Sequence, residues 1–185
     1  MGYSKLVIKT LEYAAFHHKE EVRKGTETPY IVHPVEVAMI LKESSLEEEI
    51  IAAGMLHDIL ENSDVTSEDV RKEFGEEILR LVLGASEKLE NREETDWQER
   101  KEHTLEFLKE EADFKVKAIA CADKLSNARS MLRDLETEDP EEFWSRFNAK
   151  KECQKWYYES LVESLEELEG MQMYNEFKEV VERLF

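Results

Sequence analysis

Apolar residues recur at helical spacing along the chain, and the elements follow from that recurrence. Leu6, Val7, Leu11, Ala14, Ala15 and His18 predict an amphipathic helix from Tyr3 to about Val22. Arg23 to Pro29 is rich in turn formers and reads as a loop. Tyr30 to Pro34 reads as an extended lead-in, with Pro34 holding His33 out of the helical region and opening a helix to about Lys42. The next helix carries the capping-box pattern Ser45-x-x-Glu48 and continues through Asn62. Thr66, three residues before Asp69, caps a short helix that ends at Gly75, and another covers Glu76 to about Ser86. Leu89 to Asp96 is the most polar stretch and reads as a loop. Helices over 96–110 and 114–136 follow, then a break at Asp139-Pro140. A long helix over Glu141–Glu169, stopped by Gly170, and a last helix ending near Phe185 complete an all-α single domain, residues 1–185.

One stretch does not fit simple amphipathicity. Ile50, Ile51, Ala53, Met55, Leu56, Ile59 and Leu60 surround His57, Asp58, Glu61 and Asn62. On a continuous helix His57 stands over Glu61, and Asp58 over Asn62. A buried histidine–aspartate pair needs a compensating partner, either a metal ion or a hydrogen-bond network.

Composition narrows the classes. The chain has 185 residues, enough for a core of its own, and its 41% hydrophobic content at regular spacing argues against disorder despite 37% charged residues. Six Gly and three Pro leave little punctuation for a many-stranded protein. A net charge of −19 opposes binding to nucleic acid or anionic membranes, but not to a small anion met by a metal and a few local cations. Cys121 and Cys153 make no disulfide framework, and neither a signal peptide nor a membrane span is visible, so a cytoplasmic protein is expected. The oligomeric state stays open; a homo-oligomer is compatible with the sequence.

Three further positions carry possible chemistry. His33 sits before Pro34, where a helix-entry or core role is the plain alternative. Asp123 interrupts the apolar run Ala118 to Leu125, and Asn127 lies one turn beyond it. Taken together, His33, His57, Asp58 and Asp123 form a set of nitrogen and oxygen donors on three helices, suited to Mn, Fe or Zn. Such a set would leave coordination positions for water and substrate. The aromatic residues Phe143, Trp144, Phe147, Trp156, Tyr157 and Tyr158 read first as core, although Tyr157 or Tyr158 could flank a purine.

The order His33, His57-Asp58, Asp123 resembles the signature of the HD-domain metal-dependent phosphohydrolases. The motifs Arg23-Lys24, Pro29-Tyr30-Ile31-x-His33-Pro34, Ala53-x-x-Leu56-His57-Asp58-x-x-Glu61, Phe74-Gly75 and Ala122-Asp123-Lys124-Leu125-x-Asn127-x-Arg129 are similar, in order and spacing, to the hydrolase domain of RelA/SpoT homologues and the small alarmone hydrolases. Trp97-x-x-Arg100-Lys101, Trp144-x-x-Phe147-Asn148 and Trp156-Tyr157-Tyr158 resemble a subgroup of short bacterial HD proteins. The resemblance implies an HD-type helical bundle and one metal, commonly Mn2+ with Fe2+ or Zn2+ as alternatives, held by His33, His57, Asp58 and Asp123. It implies release of the 3′-pyrophosphate from guanosine tetra- or pentaphosphate (ppGpp, pppGpp).

By the same resemblance, Glu61 would orient or deprotonate the attacking water, and Arg23, Lys24, Lys124, Asn127 and Arg129 would hold the nucleotide. The alarmone hydrolases pair the glutamate with an aspartate, where this chain has Asn62. Asparagine can orient a water but cannot accept a proton. Two classes follow: a phosphohydrolase whose turnover Asn62→Asp would raise, or a degenerate domain that binds nucleotide without efficient turnover.

Overall fold

A computed structural model describes residues 4–23, 25–86 and 95–185. The expectations for Lys24 and for the polar loop up to residue 94 lie outside the described residues. Eleven helices occur among the described residues: α1 Lys5–His17, α2 Val32–Glu43, α3 Glu48–Leu56, α4 Ile59–Asn62, α5 Ser67–Phe74, α6 Glu76–Ala85, α7 Trp97–Glu110, α8 Phe114–Thr137, α9 Pro140–Ser145, α10 Lys151–Ser164 and α11 Gln172–Leu184. A 3₁₀ turn over Glu166–Leu168 follows α10. The described backbone contains no strand, and Val22 and Pro29 form an isolated bridge across the loop before α2. This is the all-α architecture expected. No helix of the described residues is long and apolar enough to cross a membrane.

The core is built around α8, which packs against α2, α3, α6 and α11. Its inner face is lined by Ala118, Ile119, Cys121, Ala122, Leu125 and Ala128, all fully buried. The small residues let neighbouring backbones approach, and burial of each Ile or Leu contributes about 1.5–3 kcal/mol. Burial also pushes the Cys121 thiol up to about 12, so it stays protonated. Helix α3 is enclosed by α1, α2, α6 and α8, and every residue from Ile50 to Leu56 is buried.

Gly54 sets how closely α3 approaches α2. A Cβ there would overlap Leu41 Cδ1 and press on Val37 Cγ1 at 3.3 Å. Overpacking of that kind costs about 1–3 kcal/mol, against about 1 kcal/mol gained from alanine's helix propensity. Gly54→Ala is therefore expected to lower the melting temperature by about 2–4 °C for a net loss of about 1 kcal/mol. A thermal melt at or above wild type would show that α2 yields instead.

Several elements depart from the sequence reading. The Thr66–Asp69 capping box forms, and Gly75, at φ 91, turns the chain from α5 into α6. The Ser45–Glu48 box does not form: Ser45 sits at φ 58, away from the extended backbone an N-cap needs, and α3 begins at Glu48 behind Glu47. Helix α1 ends at His17 rather than Val22, with His18 as its C-cap.

His33 is not held outside a helix. Its N–H bonds to Tyr30 O at 3.0 Å, so the chain is already turning, and α2 starts at Val32. Pro34 is tolerated because first-turn N–H groups have no helical acceptor. The expected long helix over Glu141–Glu169 is broken between α9 and α10. That break folds Phe143 and Phe147 together at 5.2 Å and brings Trp144 against Phe185 at 5.4 Å.

Candidate metal centre

The helix expected to run through His57 and Asp58 is interrupted there, between α3 and α4. Ser86 Oγ, at the end of α6, donates to His57 O at 2.9 Å. Glu61 N bonds to Asp58 O at 3.1 Å, one residue short of the α-helical partner. The simple stacking of His57 on Glu61 therefore gives way to a kink that turns both His57 and Asp58 toward α2 and α8.

Four side chains from three regions meet at this kink. His33 Nε2 and His57 Nε2 are 3.3 Å apart. Asp58 Oδ2 lies 3.0 Å from His57 Nε2 and 3.7 Å from His33 Nε2. Asp123 Oδ1 reaches in from α8, at 3.1 Å from His33 Nε2 and 3.6 Å from His57 Nε2. The donors of His33, His57 and Asp58 all lie within 4.8 Å of one another, and Asp123 approaches through the imidazoles.

The outer ring nitrogens show which lone pairs face the centre. His57 Nδ1 donates to Gly54 O at 2.8 Å, leaving Nε2 as an acceptor in the neutral ring. Ser126 Oγ donates to Glu36 Oε2 at 3.0 Å and accepts from His33 Nδ1 at 2.9 Å, which leaves His33 Nε2 in the same state. These hydrogen-bond assignments bring two imidazole lone pairs and two carboxylate oxygens together at 3.0–3.7 Å. Donors bonded at about 2.1 Å to one divalent ion stand about 3 Å from their neighbours. The set fits such an ion, and the outer partners fix ring orientation as they do in metal sites.

The electrostatics agree with a cation at the centre. Burial lowers His33, keeping it neutral. Burial also opposes a charge on His57, but Asp58 and Asp123 outweigh it and raise His57 well above the usual range. Burial would raise Asp58; the His57 ring beside it holds it low instead. Asp123 meets the same burial cost and is held well below the carboxylate range by Lys124 and the two rings. Tyr30 is raised by burial and by Asp58, remains a phenol, and donates its hydroxyl to Asp58 Oδ2.

Cations and amides form the next layer. Lys124 Nζ is 2.7 Å from Asp123 Oδ2; burial disfavours its charge, and Asp123 more than compensates. Asn127 Nδ2 donates to Asp123 Oδ1 at 2.6 Å, and Arg23 Nη2 donates to Asn127 Oδ1 at 3.0 Å. Arg23, Lys124 and Asn127 are thus brought together. Arg129 is not: its guanidinium turns to Glu176 at 2.6 Å and Glu36 at 3.4 Å, tying α8 to α11 and α2.

Two cavities flank the centre. One, of about 520 Å³, is walled by Asp58, Glu61, Asp123, Lys124 and Tyr157 together with residues of α7. The other, of about 640 Å³, is lined by Arg23, His33, Ser126 and Ser130 among others. Glu61 is half-buried on the first wall, whereas Asn62 is exposed at the end of α4 and does not line either cavity. Tyr158 is buried and edge-on to Tyr157, so Tyr157 is the ring that faces the first cavity.

Sequence reasoning did not assign Tyr30, Ser126 and Glu36 to the site. Ser126 could have been found at i+3 from Asp123 on α8, the spacing that shares a helix face. Arg100 and Lys101 also face the first cavity, and no local pattern links them to Asp123.

Comparison with known proteins places these features among relatives. The HD domain family matches residues 10–158. The chain is 35% identical over 136 residues to the Drosophila melanogaster guanosine-3′,5′-bis(diphosphate) 3′-pyrophosphohydrolase MESH1, covering 72% of this chain and 71% of that one. It is 35% identical over 127 residues to a probable enzyme of the same name from Synechocystis, covering 68% of this chain but only 17% of that much longer relative. The solved structure of a metazoan SpoT ortholog that hydrolyses ppGpp superposes with a TM-score of 0.77 at 28% identity, covering 100% of this chain and 99% of that one.

Proposed function

The chain belongs to the HD-domain family, and from that premise we propose that it is a metal-dependent phosphohydrolase releasing the 3′-pyrophosphate of guanosine tetra- or pentaphosphate or a related nucleotide. The observation that carries this reading is the donor set of His33, His57, Asp58 and Asp123, open to a cavity that also holds Glu61 and Lys124. The proposed ion is Mn2+, with Fe2+ or Zn2+ compatible with the same nitrogen and oxygen donors. When bound, a divalent ion supplies Lewis acidity, lowering the pKa of water and polarising a phosphoryl oxygen.

The residues of the chain divide the remaining work. Glu61, on the cavity wall beside Asp58, takes the proton of the attacking water. Lys124 keeps Asp123 ionised and adds positive charge near the reacting phosphoryl group. Arg23, which lines the second cavity, and Asn127, to which it donates, hold the nucleotide in this reading, and Lys24 is proposed as a further nucleotide contact. We propose one domain over 1–185 in a reducing cytosol, consistent with the free Cys121 and Cys153.

The alternative of a nucleotide-binding module without turnover rests on Asn62. Its exposed position off the cavity wall argues that the substitution removes no carboxylate from the cavity, while Glu61 remains there. Asn62→Asp, which the resemblance expects to raise kcat, should on this placement leave kcat near wild type. Equal or lower kcat with full metal content would remove Asn62 from the catalytic set. The direct test is pyrophosphate release from guanosine and adenosine 3′-pyrophosphates. Release abolished by chelator and restored by manganese supports the enzyme; tight binding without release supports the module.

A further inference from the structure

The 520 Å³ cavity carries two half-buried cations on its α7 side, Arg100 and Lys101, among acidic residues that include Glu99, Glu106 and Glu111. Among the described residues lining it, the lysines and arginines are Lys124, Arg100 and Lys101. Lys124 is engaged with Asp123 at 2.7 Å, and Arg129 is turned away to Glu36 and Glu176. Arg100 and Lys101 line the same cavity from α7, where Glu99 and Glu106 of that helix are exposed, and share it with Asp58, Glu61 and Asp123. In a chain of net charge −19, an anion needs cationic side chains within direct reach.

Helix α7 is placed for this purpose. Its one fully buried side chain is Leu108, and Arg100 and Lys101 are half-buried toward the cavity. Trp97 docks on α10, 6.0 Å from the Tyr157 ring, and Lys101 Nζ lies 5.2 Å from the centroid of that ring. Tyr157 is 4% exposed and lines the cavity, so it is a fixed support that directs the Lys101 stem. Thr104 stands one turn beyond both cations on the same wall.

We propose that Arg100 and Lys101 bind the diphosphate group of the substrate and retain it as inorganic pyrophosphate after cleavage. This rests on the pyrophosphohydrolase reading. A diphosphate presents two phosphoryl groups: one reaches the four-donor centre, the other extends toward α7. The Arg100 fork grips two oxygens at once, and the Lys101 ammonium supplies a compact charge beside it. The acidic donors alone would repel that second group.

The test is calorimetric titration of inorganic pyrophosphate into manganese-loaded protein. Arg100→Gln and Lys101→Gln are each expected to weaken binding at least about tenfold, and the double variant about 100-fold. Lys101→Arg should stay within about threefold of wild type, and Arg100→Lys should bind more weakly than wild type but more tightly than Arg100→Gln, because lysine keeps the charge and loses the fork. Lys109→Gln, on the exposed side of α7, should leave affinity unchanged. Melting temperature and metal content, read on the same samples, report folding separately. A double variant within twofold of wild type overturns the proposal. So does a wild type that binds no pyrophosphate, or charge-conserving variants as weak as the glutamines. Wild type that binds pyrophosphate through these residues yet hydrolyses no guanosine 3′-pyrophosphate would keep this site and discard the pyrophosphohydrolase reading.

Discussion

Asp58→Asn is expected to remove metal-dependent hydrolysis and most of the bound metal while leaving the fold intact. Asp58 Oδ2 is 3.0 Å from His57 Nε2, accepts from Tyr30 and borders the cavity, with its side chain 21% exposed. Asparagine keeps the shape but offers the ion a neutral oxygen and cannot supply the charge that offsets it. Loss of an outer partner of a metal ligand costs about 10- to 100-fold in affinity or activity, and loss of a ligand itself should cost more. Metal content by elemental analysis and pyrophosphate release, measured together, check this. Full metal content with wild-type rate would take Asp58 out of the donor set.

Glu61→Gln is the second large effect. Its carboxylate is half-buried on the cavity wall, three residues beyond Asp58. Glutamine preserves length and hydrogen bonding but cannot take a proton, so kcat should fall about 10²- to 10⁴-fold, the usual contribution of a general base. Metal content and pyrophosphate affinity should be unchanged, because Glu61 is outside the donor set of His33, His57, Asp58 and Asp123. A fall in metal content equal to that of Asp58→Asn would instead make Glu61 a ligand; unchanged kcat would leave the water without this base.

The cluster proposed to hold the ion was legible because its members are chemically out of place. His57, Asp58 and Asp123 interrupt apolar helices, and the burial of His57 and Asp123 calls for a compensating partner, a metal ion or a hydrogen-bond network. The break between His57 and Asp58 was not legible. No Pro or Gly stands at those positions, and the kink coincides with the Ser86 hydroxyl, 29 residues away, capturing the His57 carbonyl. Arg129 shows the same limit from the other side. The resemblance put it among the nucleotide contacts, but Glu36 on α2 and Glu176 on α11 draw its guanidinium elsewhere.

Helix content was readable throughout, and helix ends were readable where side chains cap them. Thr66 and Asp69 bond reciprocally, and Asp139 Oδ1 accepts from Glu141 N and Glu142 N at the start of α9. The break between α9 and α10 has no such local mark. It is tied to an aromatic cluster joining Phe143, Trp144 and Phe147 to Phe185 at the far end of the chain. Arg100 and Lys101 escaped assignment for the same reason: adjacency on α7 says nothing of which cavity α10 turns them toward.

The central claim is that two imidazoles and two carboxylates hold one divalent ion. A crystal of manganese-reconstituted protein, with data collected at the manganese absorption edge, tests it most directly. The account predicts a single anomalous peak bonded to His33 Nε2, His57 Nε2, Asp58 and Asp123, with Glu61 facing it across the cavity. A peak ligated elsewhere, or no peak between the two histidines, would contradict it.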